Sequence, residues 1–191
     1  MRTIERERIT KETKINVSLD LDGSGESEVK TPITFLSHML TSLSFHSLID
    51  MKLSAEGDLN HHIVEDSALC LGEAIRNAVL KGPAIRRFGF ANVPMDCSLA
   101  TCSVDLGGRP AAVIELGLIN EYVEDMASQD IEHFLRSLSI GLNANIHAHV
   151  EYGENDHHKA ESVFKALALS FRSALELDER RNEVPSSKGV I

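Results

Sequence analysis

His38-Met-Leu-Thr-Ser-Leu-Ser44 returns 95 positions later as His133-Phe-Leu-Arg-Ser-Leu-Ser139, and His61-His62-Ile-Val-Glu65 returns 96 positions later as His157-His158-Lys-Ala-Glu161. The lead His precedes its pair by 23 residues in the first half and 24 in the second, so one supersecondary unit can serve both. Periodicity supplies the content of that unit. Residues 2–21 alternate, Asp22-Gly23-Ser24-Gly25 turns the chain, and a further extended run reaches Lys30. Phe35, Met39, Leu40, Leu43 and Leu48 then recur at helical spacing, Met51 to Ala55 alternates again, and a second helical stretch runs from about His62 to Leu80 before Gly82-Pro83. After that the order repeats, with strands at 88–93, 96–106 and 111–116, a helix at 130–143, a strand at 146–152 and a helix at 158–177. The expected fold is α+β, with two duplicated halves, residues 1–83 and 84–178, related by a pseudo-twofold. Each half is a roughly four-stranded sheet with two helices on one face. Residues 179–191 read as a C-terminal arm, and no biased linker separates the halves, so they form one compact body.

The 191 residues, 42% of them hydrophobic, suffice for such a core. A net charge of −10 offers no field for a phosphate polymer or an anionic membrane, so neither nucleic acid nor membrane is an expected partner. Charge or His breaks every apolar stretch well short of the roughly 20 residues that span a bilayer, and the N-terminus has no apolar signal core. Cys70, Cys97 and Cys102 make no even disulfide framework and no C-x-x-C pair. A cytoplasmic, reducing location is expected.

Histidine is the unusual feature, at nine residues. Residues four apart share a helix face, so His61 with Glu65, and His157 with Glu161, can each bind one ion. The neighbours His62 and His158 point about 100° away, which suits two metal sites. Adding His38 and His133 gives six imidazoles and two carboxylates, or four protein ligands for each of two ions. Which of the remaining four joins which ion is left open by spacing. One H-H-x-x-E is more often a surface or cap feature, but two in register with a matching lead His are not accidents. Imidazole and carboxylate without thiolate suit Mn, Fe or Zn, and an open octahedral site with carboxylate tilts toward Mn2+ or Fe2+ over Zn2+. His147 and His149 share one face of a strand and read as solvent or structural groups, Cys70 as core, and His46, two turns after His38, as structural or as an acid or base. Arg86-Arg87-Phe-Gly, Gly107-Gly108-Arg109-Pro110 and Ser186-Ser187-Lys188-Gly189 place cations beside Gly and Ser in loops, the makings of a phosphate clamp.

These residues resemble the imidazoleglycerol-phosphate dehydratase family of histidine biosynthesis. The likeness runs through Arg8-Ile-Thr-Lys-Glu-Thr13, Phe35-Leu-Ser-His-Met-Leu40, Gly57-Asp58, both H-H-x-x-E blocks, Pro94-Met-Asp96, Gly108-Arg109-Pro110, Glu132-His133-Phe134, Phe164-Lys165-Ala166 and Pro185-Ser-Ser-Lys-Gly189. It implies dehydration of imidazoleglycerol phosphate to imidazoleacetol phosphate at a di-manganese site. It also implies a homo-oligomer of 24 subunits built from trimers, with active sites shared between neighbours. By position, His38, His61, His62, Glu65, His133, His157, His158 and Glu161 would be the metal ligands. Arg87, Arg109, Ser186 and Lys188, with Lys165 nearby, would hold the phosphate, and Glu12 and His46 would stand beside the reacting carbons. The chain departs from the family in Ser37, where an Asp usually precedes the lead His, and in the shortened Asp58-Leu-Asn-His61 loop. The rival reading of the same ligands is a di-metal hydrolase acting on a phosphoester or amide.

Overall fold

The computed structural model describes residues 2–181, 185 and 186. Its first half runs β1 (Thr3–Ile9), β2 (Thr13–Asp20), β3 (Ser27–Lys30), α1 (Thr34–Ser47), β4 (Asp50–Gly57) and α2 (Asn60–Lys81). The second runs β5 (Phe88–Met95), β6 (Ser98–Asp105), β7 (Ala111–Glu115), a short hairpin of β8 (Tyr122–Val123) and β9 (Met126–Ala127), then α3 (Ser128–Leu142), β10 (Asn145–Tyr152) and α4 (Asp156–Leu175). The sheets have one topology. The orders are β1-β2-β4-β3 and β5-β6-β10-β7, and β3 and β7 are each parallel to their neighbour while the other pairs are antiparallel. The α+β duplication expected from the repeat is therefore present.

Alternation decides which face each sheet buries. Ile15, Val17 and Leu19 of β2 point inward with at most 3% exposure, while Lys14, Asn16 and Ser18 point out. The helices lie between the two sheets and exchange partners across the halves: α2 packs on β1 and β2 and against α3, and α4 packs on β5 and β6 and against α1. One continuous core results. The α2–α3 crossing is held close by glycine, because a Cβ at Gly72 would meet the Leu142 amide nitrogen at 2.5 Å and one at Gly141 the Leu69 carbonyl at 2.4 Å.

Some boundaries differ from those read in the sequence. Helices α2, α3 and α4 each begin two residues earlier, because their first turns are polar and the apolar period starts only later. At α4 the Asn155 side chain accepts from the His158 amide at 3.1 Å and fixes the start. Strand β6 begins at Ser98 and not at 96, since Asp96 takes a left-handed conformation (φ 46°) in the turn. α4 stops at Leu175, and Leu177 bridges to Ile85 instead. The β8–β9 hairpin, too short to leave a periodic signal, was not expected, and the first half has no counterpart to it. No helix among the described residues is long and apolar enough to cross a membrane.

Candidate metal centre

Helix α2 starts at Asn60 and α4 at Asp156, so each His pair occupies a first turn and projects from the end of the helix layer. Because α2 packs on α3 and α4 on α1, each H-x-x-x-E meets the lead His of the opposite half. His61, Glu65 and His133 bring ligand atoms within 4.8 Å of one another, as do His38, His157 and Glu161. In the first cluster His133 Nε2 lies 3.5 Å from Glu65 Oε1, and the His61 and His133 rings stack with centroids 4.6 Å apart. In the second, His157 Nε2 is 3.5 Å and His38 Nε2 4.0 Å from Glu161 Oε2. Spacing left the partition of the lead residues open; the helix layer resolves it crosswise.

Carboxylates orient two of these rings. Asp130, buried at the start of α3, lies 2.7 Å from His61 Nδ1, and Glu124, in the β8–β9 turn at φ 53°, lies 3.0 Å from His157 Nδ1. Carboxylate on one ring nitrogen with the other turned to the cluster is the arrangement that fixes a ligating imidazole. The hairpin that carries Glu124 is itself anchored. Asp125 accepts from the Thr34 and Phe35 amides at the start of α1, at 2.6 and 2.8 Å. Just upstream, Asp156 of α4 accepts from the Ile119 and Asn120 amides at 2.9 and 2.8 Å.

His62 and His158 stand apart from both clusters of their own chain. His62 Nδ1 lies 2.8 Å from Asp58 Oδ1 and 3.8 Å from Glu12 Oε2. His158 Nδ1 lies 3.4 Å from Cys97 Sγ, with Asp96 Oδ2 3.4 Å from Nε2. The Asp58 carboxylate raises the pKa of His62. The bond from His158 and the amides of residues 154 and 155 pull the Cys97 thiol down to about 6. The Ser37 hydroxyl turns to Thr31, pairing with its hydroxyl at 3.0 Å and accepting from its amide at 3.3 Å.

Lys165 Nζ lies 2.9 Å from Glu161 Oε1 and 3.2 Å from Met95 Sδ. Burial alone would raise the Glu161 carboxyl, but the Lys165 bond and charge hold it below the usual range. His46, partly buried on α1, is shifted down by burial and by the Lys165 charge. Arg87, at the other end of β5, binds Asp105 through Nε at 2.6 Å and Nη2 at 3.1 Å, and donates to the Pro185 carbonyl at 2.8 Å. The same guanidinium lies against the Gly107-Gly108-Arg109 turn, where a Cβ at Gly107 would meet it at 2.5 Å. Arg109 is exposed. Lys188 lies outside the described residues. His149 pairs with Glu115 at 3.2 Å on the outer face of β10. Cys70 is buried in α2, its thiol pushed up to about 11 by burial.

Sequence reading missed Asp130, Glu124, Asp96 and Cys97. Two had a prior signal, Asp130 as an acid one turn before the lead His133 and Asp96 as the end of the Pro94-Met-Asp96 motif; Glu124 and Cys97 sit in turns that periodicity does not report.

A family model described as imidazoleglycerol-phosphate dehydratase matches residues 31–171. The imidazoleglycerol-phosphate dehydratase of Methanothermobacter thermautotrophicus is 49% identical over 100% of this chain and 98% of its own. That of Chlorobium phaeovibrioides is 46% identical over 96% and 92%. Among solved structures, the Pyrococcus furiosus enzyme in complex with (S)-C348 superposes with a TM-score of 0.84, at 38% identity over 97% of this chain and 100% of that one. The Staphylococcus aureus enzyme gives 0.85 at 30% identity, over 92% and 99%.

Proposed function

The chain belongs to the imidazoleglycerol-phosphate dehydratase family, and on that premise we propose that its two imidazole–carboxylate clusters hold divalent cations and serve the dehydration of imidazoleglycerol phosphate to imidazoleacetol phosphate. The observation that carries this reading is the crosswise pair of triads, each with two imidazoles and a carboxylate and with one imidazole locked by a second carboxylate. Such a donor set lacks thiolate and is short of a full shell, which fits Mn2+ with positions left for substrate, ahead of Fe2+ or Zn2+. When bound, the ions supply Lewis acidity to the imidazole ring of the substrate, which must accept electrons because no carbonyl acidifies the C–H bond that breaks.

The protein's own groups supply the rest. Glu12, exposed at the β1–β2 turn and beside His62, takes the proton at the carbon chain, with His46 as the alternative. Arg87, Arg109, Ser186 and Lys188, with Lys165, hold the phosphate and orient the bond to be broken from a distance. Arg87 directly precedes β5, and Met95, the contact of Lys165, ends it. At about 3.3 Å per residue the two ends of the strand, Phe88 and Met95, are roughly 23 Å apart. One chain therefore does not gather the whole phosphate grip beside one cluster, and His62 and His158 face away from the clusters of their own chain. Both facts support active sites shared between copies, in the assembly of 24 subunits built from trimers that the resemblance implies. Free cysteines suit a cytoplasmic setting.

The test is anaerobic metal analysis of the purified protein joined to a product assay. Two ions per chain and imidazoleacetol phosphate are expected. Release of inorganic phosphate without the ketone would favour the di-metal hydrolase.

A further inference from the structure

The two clusters are related by the internal repeat, so differences between matched positions are informative. Glu161 corresponds to Glu65 and, one turn on, Lys165 corresponds to Leu69. Lys165 Nζ holds Glu161 Oε1 at 2.9 Å, whereas the matching position beside Glu65 carries an apolar side chain. The helix crossings differ in step. Gly141 lies against the Leu69 backbone, where any side chain on it would collide with the carbonyl, while its counterpart on α1 is His46, which shares the α1–α4 space with Lys165. The orienting acids differ as well. His61 is held by buried Asp130 at 2.7 Å, and the residue matching Asp130 in the first half is Phe35, whose ring packs edge-on against His157 at 5.2 Å. His157 relies instead on Glu124, whose side chain is 62% exposed. Finally, the His61 and His133 rings are already gathered at 4.6 Å, against 6.0 Å for His38 and His157.

These differences point one way. The Glu65 cluster has a buried orienting carboxylate, Asp130, and among the described residues neither Glu65 nor Asp130 pairs with a lysine or arginine. The Glu161 cluster must share its carboxylate with an ammonium group that also repels an incoming ion. We propose that the two clusters are unequal cation sites that fill in order, His61–Glu65–His133 first and His38–His157–Glu161 second, with Lys165 as the residue that sets the gap. This rests on the two-cation reading above and adds to it an order of filling and a cause. A unit charge about 5 Å from a divalent ion, even at the screening of bulk water, lowers affinity at least about tenfold.

The experiment is a Mn2+ titration of the metal-stripped, full-length protein without substrate, with free Mn2+ followed by electron paramagnetic resonance. Two classes of site at least about tenfold apart are expected. Lys165→Met should raise the affinity of the weaker class and close most of the gap, and Lys165→Gln should do the same with a polar side chain should the first variant fail to fold. His133→Ala should abolish the tight class and His38→Ala the weak one. A single class in the parent protein, a gap unchanged in both Lys165 variants, or loss of the tight class in His38→Ala would overturn the proposal. Absence of any bound Mn2+ would instead overturn the two-cation reading itself, so the two failures are distinguishable.

Discussion

His61 Nδ1 and Asp130 Oδ1 lie 2.7 Å apart, joining the first turn of a helix in one half to the first turn of a helix in the other. Asp130 is 5% exposed, so its charge is poorly screened and its bond fixes the ring that faces Glu65 and His133. Replacing Asp130 with Asn keeps an acceptor but removes the charge. Mn2+ affinity at that cluster should then fall about 10- to 100-fold, the usual cost of losing an orienting carboxylate. A direct Mn2+ titration checks this, and affinity equal to that of the parent would remove Asp130 from the machinery.

Shared sites make a separate prediction. His62→Ala and His133→Ala chains should each be inactive alone and low in bound metal. Co-assembled after mild dissociation, an intact triad from the first can meet an intact His62 from the second, and measurable activity should return. If mixing restores nothing while both variants keep the parent's oligomeric size, each active site is built within one chain.

Asp156 should contribute to acid sensitivity. Burial alone would raise its carboxyl, but the Ile119 and Asn120 amides, the Asn120 side chain and Lys159 outweigh this and lower it. With the folded value below the unfolded one of about 3.9, its stabilisation is complete above that range and is lost as pH falls through the lowered value. Asp156→Asn leaves Lys159 buried without its counter-charge and should cost about 3 kcal/mol at pH 7. Urea unfolding should show the gap between parent and variant narrowing below about pH 4. A gap independent of pH would mean that the hydrogen bonds, and not the charge, carry the effect.

Thiol chemistry separates the three cysteines. Cys97 is drawn down to about 6 by His158 and nearby amides, while burial pushes Cys70 up to about 11 and Cys102 up to about 12. Only thiolates attack. Brief iodoacetamide treatment at pH 7 should therefore label Cys97 alone, as read by peptide mass spectrometry. Faster labelling of either buried cysteine would contradict the placement of Cys97 against His158.

The pairings within each cluster were legible because helical geometry places His61 with Glu65, and His157 with Glu161, on common faces whatever the rest of the fold does. The duplication was legible because two blocks recur in register. The crosswise exchange of His38 and His133 was not, since it depends on which helix of the other half each helix packs against, and periodicity reports only that a face is apolar. Glu124 was invisible for another reason: it orients His157 from a turn flanked by two-residue strands, too short to leave a pattern. Cys97 became notable only once the β5–β6 turn stood against the first turn of α4. Ser37 illustrates the reverse case, where a departure in sequence from the family drew attention but the side chain turns toward Thr31.

Because each triad draws on both repeats, a chain severed near Pro83 would leave neither fragment with a complete donor set. A cation lodged in either triad would act as a rivet across the seam. An ancestor consisting of one repeat could have caged ions only as a back-to-back pair of identical molecules. Fusion made that partnership permanent, and it also freed the two seats to drift apart, one acquiring a lysine and the other an aspartate.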